Sequence, residues 1–350
     1  SNAFDTQTVV ITITGTNDTP NITVEAGNSD SSQLSETDAT LSTSGTLSVK
    51  DLDRTDVITT SHIVSSVQKD ANGNVMGTDS LEPLNLALKN MLSITQTPIN
   101  GTAQSGTISW AFNSGSEYFN YLASGETLTL TYTIKASDDD SSNAFDTQTV
   151  VITITGTNDT PNITVEAGNS DSSQLSETDA TLSTSGTLSV KDLDRTDVIT
   201  TSHIVSSVQK DANGNVMGTD SLEPLNLALK NMLSITQTPI NGTAQSGTIS
   251  WAFNSGSEAF NYLATGETLT LTYTIKAIDD DSSNAFDTQD VVITITGTND
   301  TPNITVESAN SASSALSETD TTLSTSGTLS VIDLDRTDVI TTSHIVSSVQ

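Results

Sequence analysis

The sequence predicts an all-β chain of tandem antiparallel β-sandwich domains, each carrying one short helical insertion. Three observations lead there. The heptapeptide SNAFDTQ begins at Ser1, at Ser142 and at Ser283, so the chain repeats every 141 residues. Within a repeat, Thr alternates with Val, Ile and Leu over runs of strand length, the pattern of half-buried antiparallel strands. The period is far longer than the roughly 20–50 residues of short-motif solenoids and suits one self-sufficient domain per repeat.

Each element can be taken in order. In Thr8–Gly15, Val9, Ile11 and Ile13 share one face with Thr between them. A strand follows Pro20, and Gly45–Asp51 is the next. Val57–Val67 is a further strand, and the DANGN sequence at Asp70–Asn74 marks a hairpin turn. Leu81–Leu92 is the helix candidate, with Pro83 near its start. Gly106–Phe112 and Glu126–Ala136 complete the alternating set, the latter through Leu128, Leu130, Tyr132 and Ile134. A sandwich of about seven strands results, with Trp110, Phe112, Phe119 and Tyr121 as its aromatic core.

The repeats divide the chain into four parts. Residues 1–20 read as the last strand of a preceding repeat. Residues 21–161 and 162–302 are two full domains, and 303–350 hold the first strands of a third. Between residues 1–141 and 142–282 only Tyr118, Ser124 and Ser137 change, to Ala259, Thr265 and Ile278. The chain opens and closes in mid-repeat, so it reads as part of something longer.

Composition limits the function. With 43 Asp and Glu against 11 Lys and Arg, the net charge is −32. Phosphate backbones would be repelled, so nucleic acid is excluded as a partner. An anionic membrane is a poor partner for the same reason, and no apolar run is long enough to insert into a bilayer. Cysteine is absent, so disulfides and thiolate metal sites are absent with it. A secreted domain without disulfides needs another staple, and metal ions are one option. The carboxylates either gather cations or simply keep a secreted protein soluble; charge alone does not separate the two.

Strand parity places those carboxylates. If the chain enters a domain at its top, the strand after Pro20 runs down and leaves Glu36 at the bottom. Gly45–Asp51 runs up, so Asp51, Asp53 and Asp56 sit at the top. The strand from Glu126 also runs up and ends at the Asp138–Asp140 run. Thr149–Thr155 then runs down and leaves through Asn158 and Asp159. Glu36, Glu126, Asn158 and Asp159 therefore meet the next domain's Asp192, Asp194, Asp197 and Asp279–Asp281. Asp138, Asp140, Asp279 and Asp281 are candidates from the acidic runs. A donor set made only of oxygen is what Ca2+ takes. The alternative is that these Asp and Asn residues occupy solvated turns, where both are common.

The motifs GTLSVKDLDRTD, FNYLASGETLTLTYTIKASDDD and VVITITGTNDTPNI occur in that order in both full repeats. They resemble the VCBS repeat of large bacterial RTX adhesins and cover about half of each repeat. The same order is similar to cadherin repeats, which makes the implied fold an Ig-like or cadherin-like sandwich. The cadherin likeness implies calcium ligands at Glu36, Glu126, Asn158, Asp159, Asp192, Asp194 and Asp279. It implies a second set at Glu177, Glu267, Asn299, Asp300, Asp333 and Asp335, and a partial set at Asn17, Asp18, Asp51, Asp53 and Asp138. LASGE stands where cadherins have an LDRE-type segment, and the linker lacks the leading Asp, so fewer carboxylates meet at each junction. The glycine-aspartate nonapeptides of an RTX β-roll do not occur here.

These features lead to an expected calcium-stiffened extender, or stalk, of a secreted adhesin on the bacterial cell surface. It would hold a distal binding domain away from the cell for adhesion or biofilm formation. Its partners would be neighbouring repeats of the same chain, joined through calcium-bridged junctions. The alternative is that each repeat is itself an adhesive module for a host or biofilm glycan or protein, or for homotypic contact. Residues 57–117 are then the place to look, with Tyr118 beside them. No Ser-His-Asp or paired-carboxylate constellation falls on one face, and near-identical copies do not suit a single active site, so no enzyme is expected. His62, His203 and His344 read as structural or exposed rather than as ligands.

Overall fold

The computed structural model describes residues 2–79, 86–97, 99, 103–140, 144–220, 227–238, 240, 244–281 and 285–347. The chain divides into two compact units. One comprises residues 1–159 with Asp194–Thr196; the other comprises Thr160–Leu193 and residues 197–350.

The first unit contains β1 (Asn21–Thr23), β2 (Ser31–Ser35), β3 (Ser42–Lys50), β4 (Thr59–Lys69) and β5 (Val75–Asp79). The short helix α1 (Leu86–Asn90) follows, then β6 (Leu92–Gln96), β7 (Ser105–Asn113), β8 (Thr127–Ser137) and β9 (Phe145–Thr155). Four strands form one sheet in the order β1-β3-β7-β6, and five form the other in the order β2-β9-β8-β4-β5. The alternation seen in sequence decides which side chains enter the space between the sheets. Leu47, Val49, Ile108, Trp110 and Phe112 come from one sheet; Leu130, Tyr132, Ile134, Val150, Ile152 and Ile154 come from the other. All are buried, and Thr lies outward between them.

The second unit repeats this arrangement. Its strands are β10 (Asn162–Thr164), β11 (Ser172–Ser176), β12 (Ser183–Lys191), β13 (Thr200–Lys210) and β14 (Val216–Asp220). After α2 (Leu227–Lys230) come β15 (Leu233–Gln237), β16 (Ser246–Asn254), β17 (Thr268–Ile278) and β18 (Phe286–Thr296). The sheet orders are β10-β12-β16-β15 and β11-β18-β17-β13-β14. Beyond them β19 (Asn303–Thr305) pairs with β20 (Ser330–Ile332). Among the described residues no helix is long and apolar enough to cross a membrane.

The all-β sandwich and its helical piece are as the sequence predicts, with differences in detail. Each sandwich has nine described strands rather than about seven: the strand expected between Pro20 and Glu36 is two, β1 and β2, and the short segments β5 and β6 also pair. One pair per sandwich is parallel: β2 lies along β9 with Ser31 opposite Val151, and β11 lies along β18 in the same way. The chain makes this pair by changing sheets between β1 and β2, which run in the same direction. The helix is shorter than Leu81–Leu92. Leu92 already starts β6, and residues 81–85 lie outside the described set.

The expected strand at Thr8–Gly15 is also not formed; Val9, Ile11 and Ile13 are exposed. The same sequence one period later is part of β9, where it pairs with β8 and β2. At residues 8–15 no described strand lies alongside, so this stretch has no ladder to join. Within residues 303–347 the ladder is the β19–β20 pair.

The register fixes which residues share an end of the first sandwich. Lys50 faces Asn21, and Ser137 faces both Thr59 and Phe145; the Ile22 amide of β1 donates to Asp146 Oδ2 of β9 at 2.8 Å, which joins the two sheets here and puts the ends of β3 and β8 together. Thr127 and Thr155 face each other at the opposite end. The insertion is tied to the core by Tyr132, whose hydroxyl donates to Leu88 O at 2.7 Å. His62 Nε2 sits 3.1 Å from Lys89 O, with its ring edge-on to Tyr132, a packing contact within the sandwich.

Candidate metal centre

In the first unit the residue after β3 is Asp51, and the residue after β8 is Asp138. The Asp51 amide donates to Gln104 O at 3.0 Å, and its Oδ1 accepts the Asp53 amide at 3.0 Å, which turns the chain back at once. That turn brings Asp56 inward. Asp51, Asp56 and Asp138 are 1%, 4% and 7% exposed. Each offers a carboxylate oxygen within 4.8 Å of the other two, and Asp56 stands in the same relation to Asp139 and Asp140. Asp139 also fastens the loop by accepting the Val57 amide at 2.8 Å. The linker reaches this end as well: Asn17 Nδ2 donates to Asp138 Oδ2 at 3.1 Å, and the Asp18 amide donates to Asp53 Oδ2 at 2.6 Å.

The second unit builds the same trio from Asp192, Asp197 and Asp279, all buried. Asp56 and Asp197 are absent from the ligand set implied by the cadherin likeness, yet each is central to its cluster. Their signal in the sequence was the D-L-D-R-T-D spacing, which returns the third Asp to the pocket of the first.

The electrostatics of both clusters are unfavourable as they stand. Burial, reinforced by Asp281, Asp192 and other neighbouring carboxylates, pushes Asp197 up to about 7. Asp56 is raised by burial and then by Asp140 and Asp53, and Asp51 is raised chiefly by burial. Asp281 is also raised, by burial and then by Asp279. Among the described residues the ion pairs are Lys50–Glu25 and Lys191–Glu166, both exposed to solvent and neither made with a carboxylate of these clusters. Asp51 Oδ2, Asp56 Oδ2, Asp197 Oδ2 and Asp281 Oδ2 are buried with no hydrogen-bond partner among the described residues. A buried carboxylate oxygen without a donor is costly unless a cation faces it. An all-oxygen set of this kind fits a hard divalent ion and does not fit a thiophilic one.

The glutamates are placed elsewhere. Glu36 follows β2 and Glu126 precedes β8, so both stand at the Thr127–Thr155 end, and both are buried. Glu36 Oε2 accepts the Thr157 hydroxyl at 2.5 Å and its amide at 3.2 Å. Glu126 Oε1 accepts the Thr196 hydroxyl at 2.8 Å, and its Oε2 accepts the Ala123 amide at 3.3 Å. At this end of the first unit the Asp159 amide donates to Asp194 Oδ2 at 2.7 Å. Burial, with Glu36 and Asp38 nearby, pushes the Asp159 carboxyl up to about 6.

The second unit holds a full copy of that arrangement. Glu177 accepts Thr298, Glu267 accepts Thr337 at 2.7 Å, and the Asp300 amide donates to Asp335 Oδ2 at 2.8 Å. Asp300 is raised by burial and then by Glu177, Asp335, Asp179 and Asp333, which places five carboxylates around one linker. Asp300 Oδ2 and Asp335 Oδ1 are buried without a partner among the described residues. Asn158 and Asn299 fold back on the linker, each side-chain amide donating to the carbonyl of the next residue. Of the sequence-derived candidates, Asp140 is exposed, Asp281 and Asp333 are half-buried, and the aspartates of the two trios are buried.

Fold and site together define a class: tandem β-sandwich domains with buried acidic clusters that suit metal ions. No protein-family model matches the chain, and no curated protein matches it. Among solved structures it is similar to the protocadherin GammaB4 extracellular domain, at 15% identity and a TM-score of 0.35, covering 83% of this chain and 36% of that one. It is similar to CfaE, the adhesive subunit of CFA/I fimbria of enterotoxigenic Escherichia coli, at 8% identity and a TM-score of 0.28, covering 80% of this chain and 86% of that one. The ASH / PapD-like domain of human CEP192 matches at 12% identity and a TM-score of 0.25, covering 44% of this chain and 96% of that one. The likeness goes no further than the sandwich architecture that the sheets display on their own.

Proposed function

We propose that this chain is a calcium-stiffened extender segment of a secreted bacterial surface adhesin, working outside the cell and without catalysis. One observation carries the reading: the buried Asp51, Asp56 and Asp138 trio, repeated as Asp192, Asp197 and Asp279, in which the Oδ2 atoms of Asp51, Asp56 and Asp197 are buried with no donor among the described residues. The near-identity of the repeats supports it, since a spacer needs number and stiffness rather than variety. The VCBS-like motifs support it too. In this reading residues 21–161 and 162–302 are the full domains, and the linkers through Asn158-Asp159 and Asn299-Asp300 lie at calcium-bridged junctions. Asp51, Asp56 and Asp138 would hold the ion in one domain, and Asp192, Asp197 and Asp279 in the next. The ion would supply the positive charge that these side chains lack. Extracellular sites of this chemistry bind calcium at about 10⁻⁴–10⁻³ M, so export from a calcium-poor cytoplasm would precede stiffening.

The test is small-angle scattering with thermal melting, in about 1 mM calcium and then in chelator. A longer, straighter particle with a higher melting temperature in calcium is expected, with both effects lost in an Asp192→Ala, Asp194→Ala variant. Shape and melting that ignore calcium would leave the carboxylates as solubilising decoration.

A further inference from the structure

All three arginines of the chain, Arg54, Arg195 and Arg336, occupy the same place in D-L-D-R-T-D; every other basic residue is lysine. Within the second unit the Arg336 guanidinium lies over the Tyr262 ring at 4.9 Å. The Arg336 amide donates to Tyr262 O at 3.3 Å, and the next residue, Thr337, donates to Glu267 Oε1 at 2.7 Å. The first unit contains the same three contacts. Arg195 lies 5.0 Å over Tyr121, its amide donates to Tyr121 O at 3.3 Å, and Thr196 donates to Glu126. Among the described residues Arg54 has no such ring beside it, and it is exposed.

The receiving surface is built with a strained backbone. Phe119 and Phe260 hold φ at 65° and 64°, a region that a bulky aromatic residue rarely enters. The Phe119 ring is buried, its amide donates to Glu117 Oε1, and its carbonyl accepts the Leu122 amide. This tight turn leaves Tyr121 with its ring and carbonyl directed at the arginine, and Phe260 does the same for Tyr262. A planar guanidinium stacks on an aromatic face while keeping its donors, which an ammonium does less well. None of these contacts uses a cation from solution.

We infer that the Tyr121–Glu126 end of each sandwich, and its Tyr262–Glu267 copy, is a recognition surface for the Arg-Thr pair of the following D-L-D-R-T-D loop, and that it holds this loop without any metal. The inference deepens the extender reading: the latch sets the loop in place, so that Asp335 meets the Asp300 amide before an ion arrives. It also gives Glu126 and Glu267 a partner of their own, a threonine hydroxyl, in place of the ligand role that the cadherin likeness implies.

Hydrogen–deuterium exchange on the full chain in chelator tests it, reading the peptides that carry Asp300 and residues 333–338. The wild-type loop is expected to be protected. Arg336→Ala, at an exposed position, should speed its exchange by about two- to five-fold, the scale of one exposed cation–π contact, and leave the sandwich strands unchanged. Thr337→Val should give a smaller increase in the same peptides. A loop that exchanges freely in chelator and gains protection only with calcium would overturn the inference, as would an Arg336→Ala chain indistinguishable from wild type. If calcium changes nothing in any variant while Arg336→Ala still loses protection, the calcium reading fails and the latch stands.

Discussion

Asp197 concentrates the chemistry of this chain in one carboxyl. It is 4% exposed, its Oδ2 has no donor among the described residues, and its neighbours are other carboxylates. Its affinity for a proton rises from an ordinary 3.8 to about 7 on folding. A raised carboxyl means that the folded state binds the proton more tightly than the unfolded state. Its contribution to stability is therefore complete below about 3.8 and is lost as pH climbs through about 7. In chelator, the melting temperature should fall as pH is raised across that window. Asp197→Asn should flatten the slope and melt higher than wild type at pH about 8 in chelator, because a neutral amide escapes the repulsion. The same variant should lose much of any gain from added calcium. An Asp197→Asn chain that melts lower in chelator at pH about 8 would show that the carboxylate is a satisfied structural group. That Asp56 and Asp197 belong to the clusters was only half legible in the sequence. The spacing put them at the right end of the strand, but the turn in which the Asp51 carboxylate accepts the Asp53 amide carries Asp56 inward by an amount that the residue types do not display.

The elements were legible in proportion to how much of their partnering lies nearby. Leu128–Ile134 and Val150–Ile154 alternate, pair with each other and fill the core, so periodicity alone finds them. The Asp70–Asn74 hairpin is equally local, with the Asp70 carboxylate accepting the Asn72 and Asn74 amides. By contrast, TVVITIT is one sequence with two outcomes, a ladder at 149–155 and no strand at 8–14, because pairing partners decide it rather than propensity. The parallel β2–β9 pair is non-local and polar, and nothing in SSQLS announces it. The closing ITG motif has a physical cause that the sequence does not display. A Cβ on Gly156 would run into the carbonyl oxygens of Leu122 and Ala123, where β9 leaves the sandwich beside the Tyr121 turn. The Gly156 amide donates to Glu126 O at 2.8 Å, so this close approach also seats Glu126. Gly156→Ala should therefore destabilise the first unit by about 2–3 kcal/mol, as overpacking against backbone does, and should leave the melting of the second unit near its wild-type value. Gly15→Ala, where a Cβ meets nothing within 4 Å, is the matched control. Equal melting of the two variants would mean that the linker backbone moves aside at little cost.

At the scale of the whole molecule, the question is whether a net charge of −32 is a property of the surface or of the sites. The two answers differ in how the chain responds to salt. Carboxylates spread over a surface repel through solvent, and any electrolyte screens them; at about 0.1 M the screening length is already near 10 Å. Carboxylates buried in trios at the ends of β3 and β8, and of β12 and β17, are shielded from that screening and respond to an ion that enters among them. In chelator, sodium chloride should raise the melting temperature gradually, as general screening does. About 1 mM calcium adds negligible ionic strength, yet it should raise melting more than about 0.1 M sodium chloride does, because it acts at the sites. Magnesium should do less at equal concentration, since it prefers a tighter octahedral shell and gives up water reluctantly. Calcium that does no better than sodium chloride of equal ionic strength would return the charge to the surface. The buried, donorless oxygens of Asp51, Asp56 and Asp197 argue for the other result: screening cannot reach them, and the clusters lack any cation of their own among the described residues.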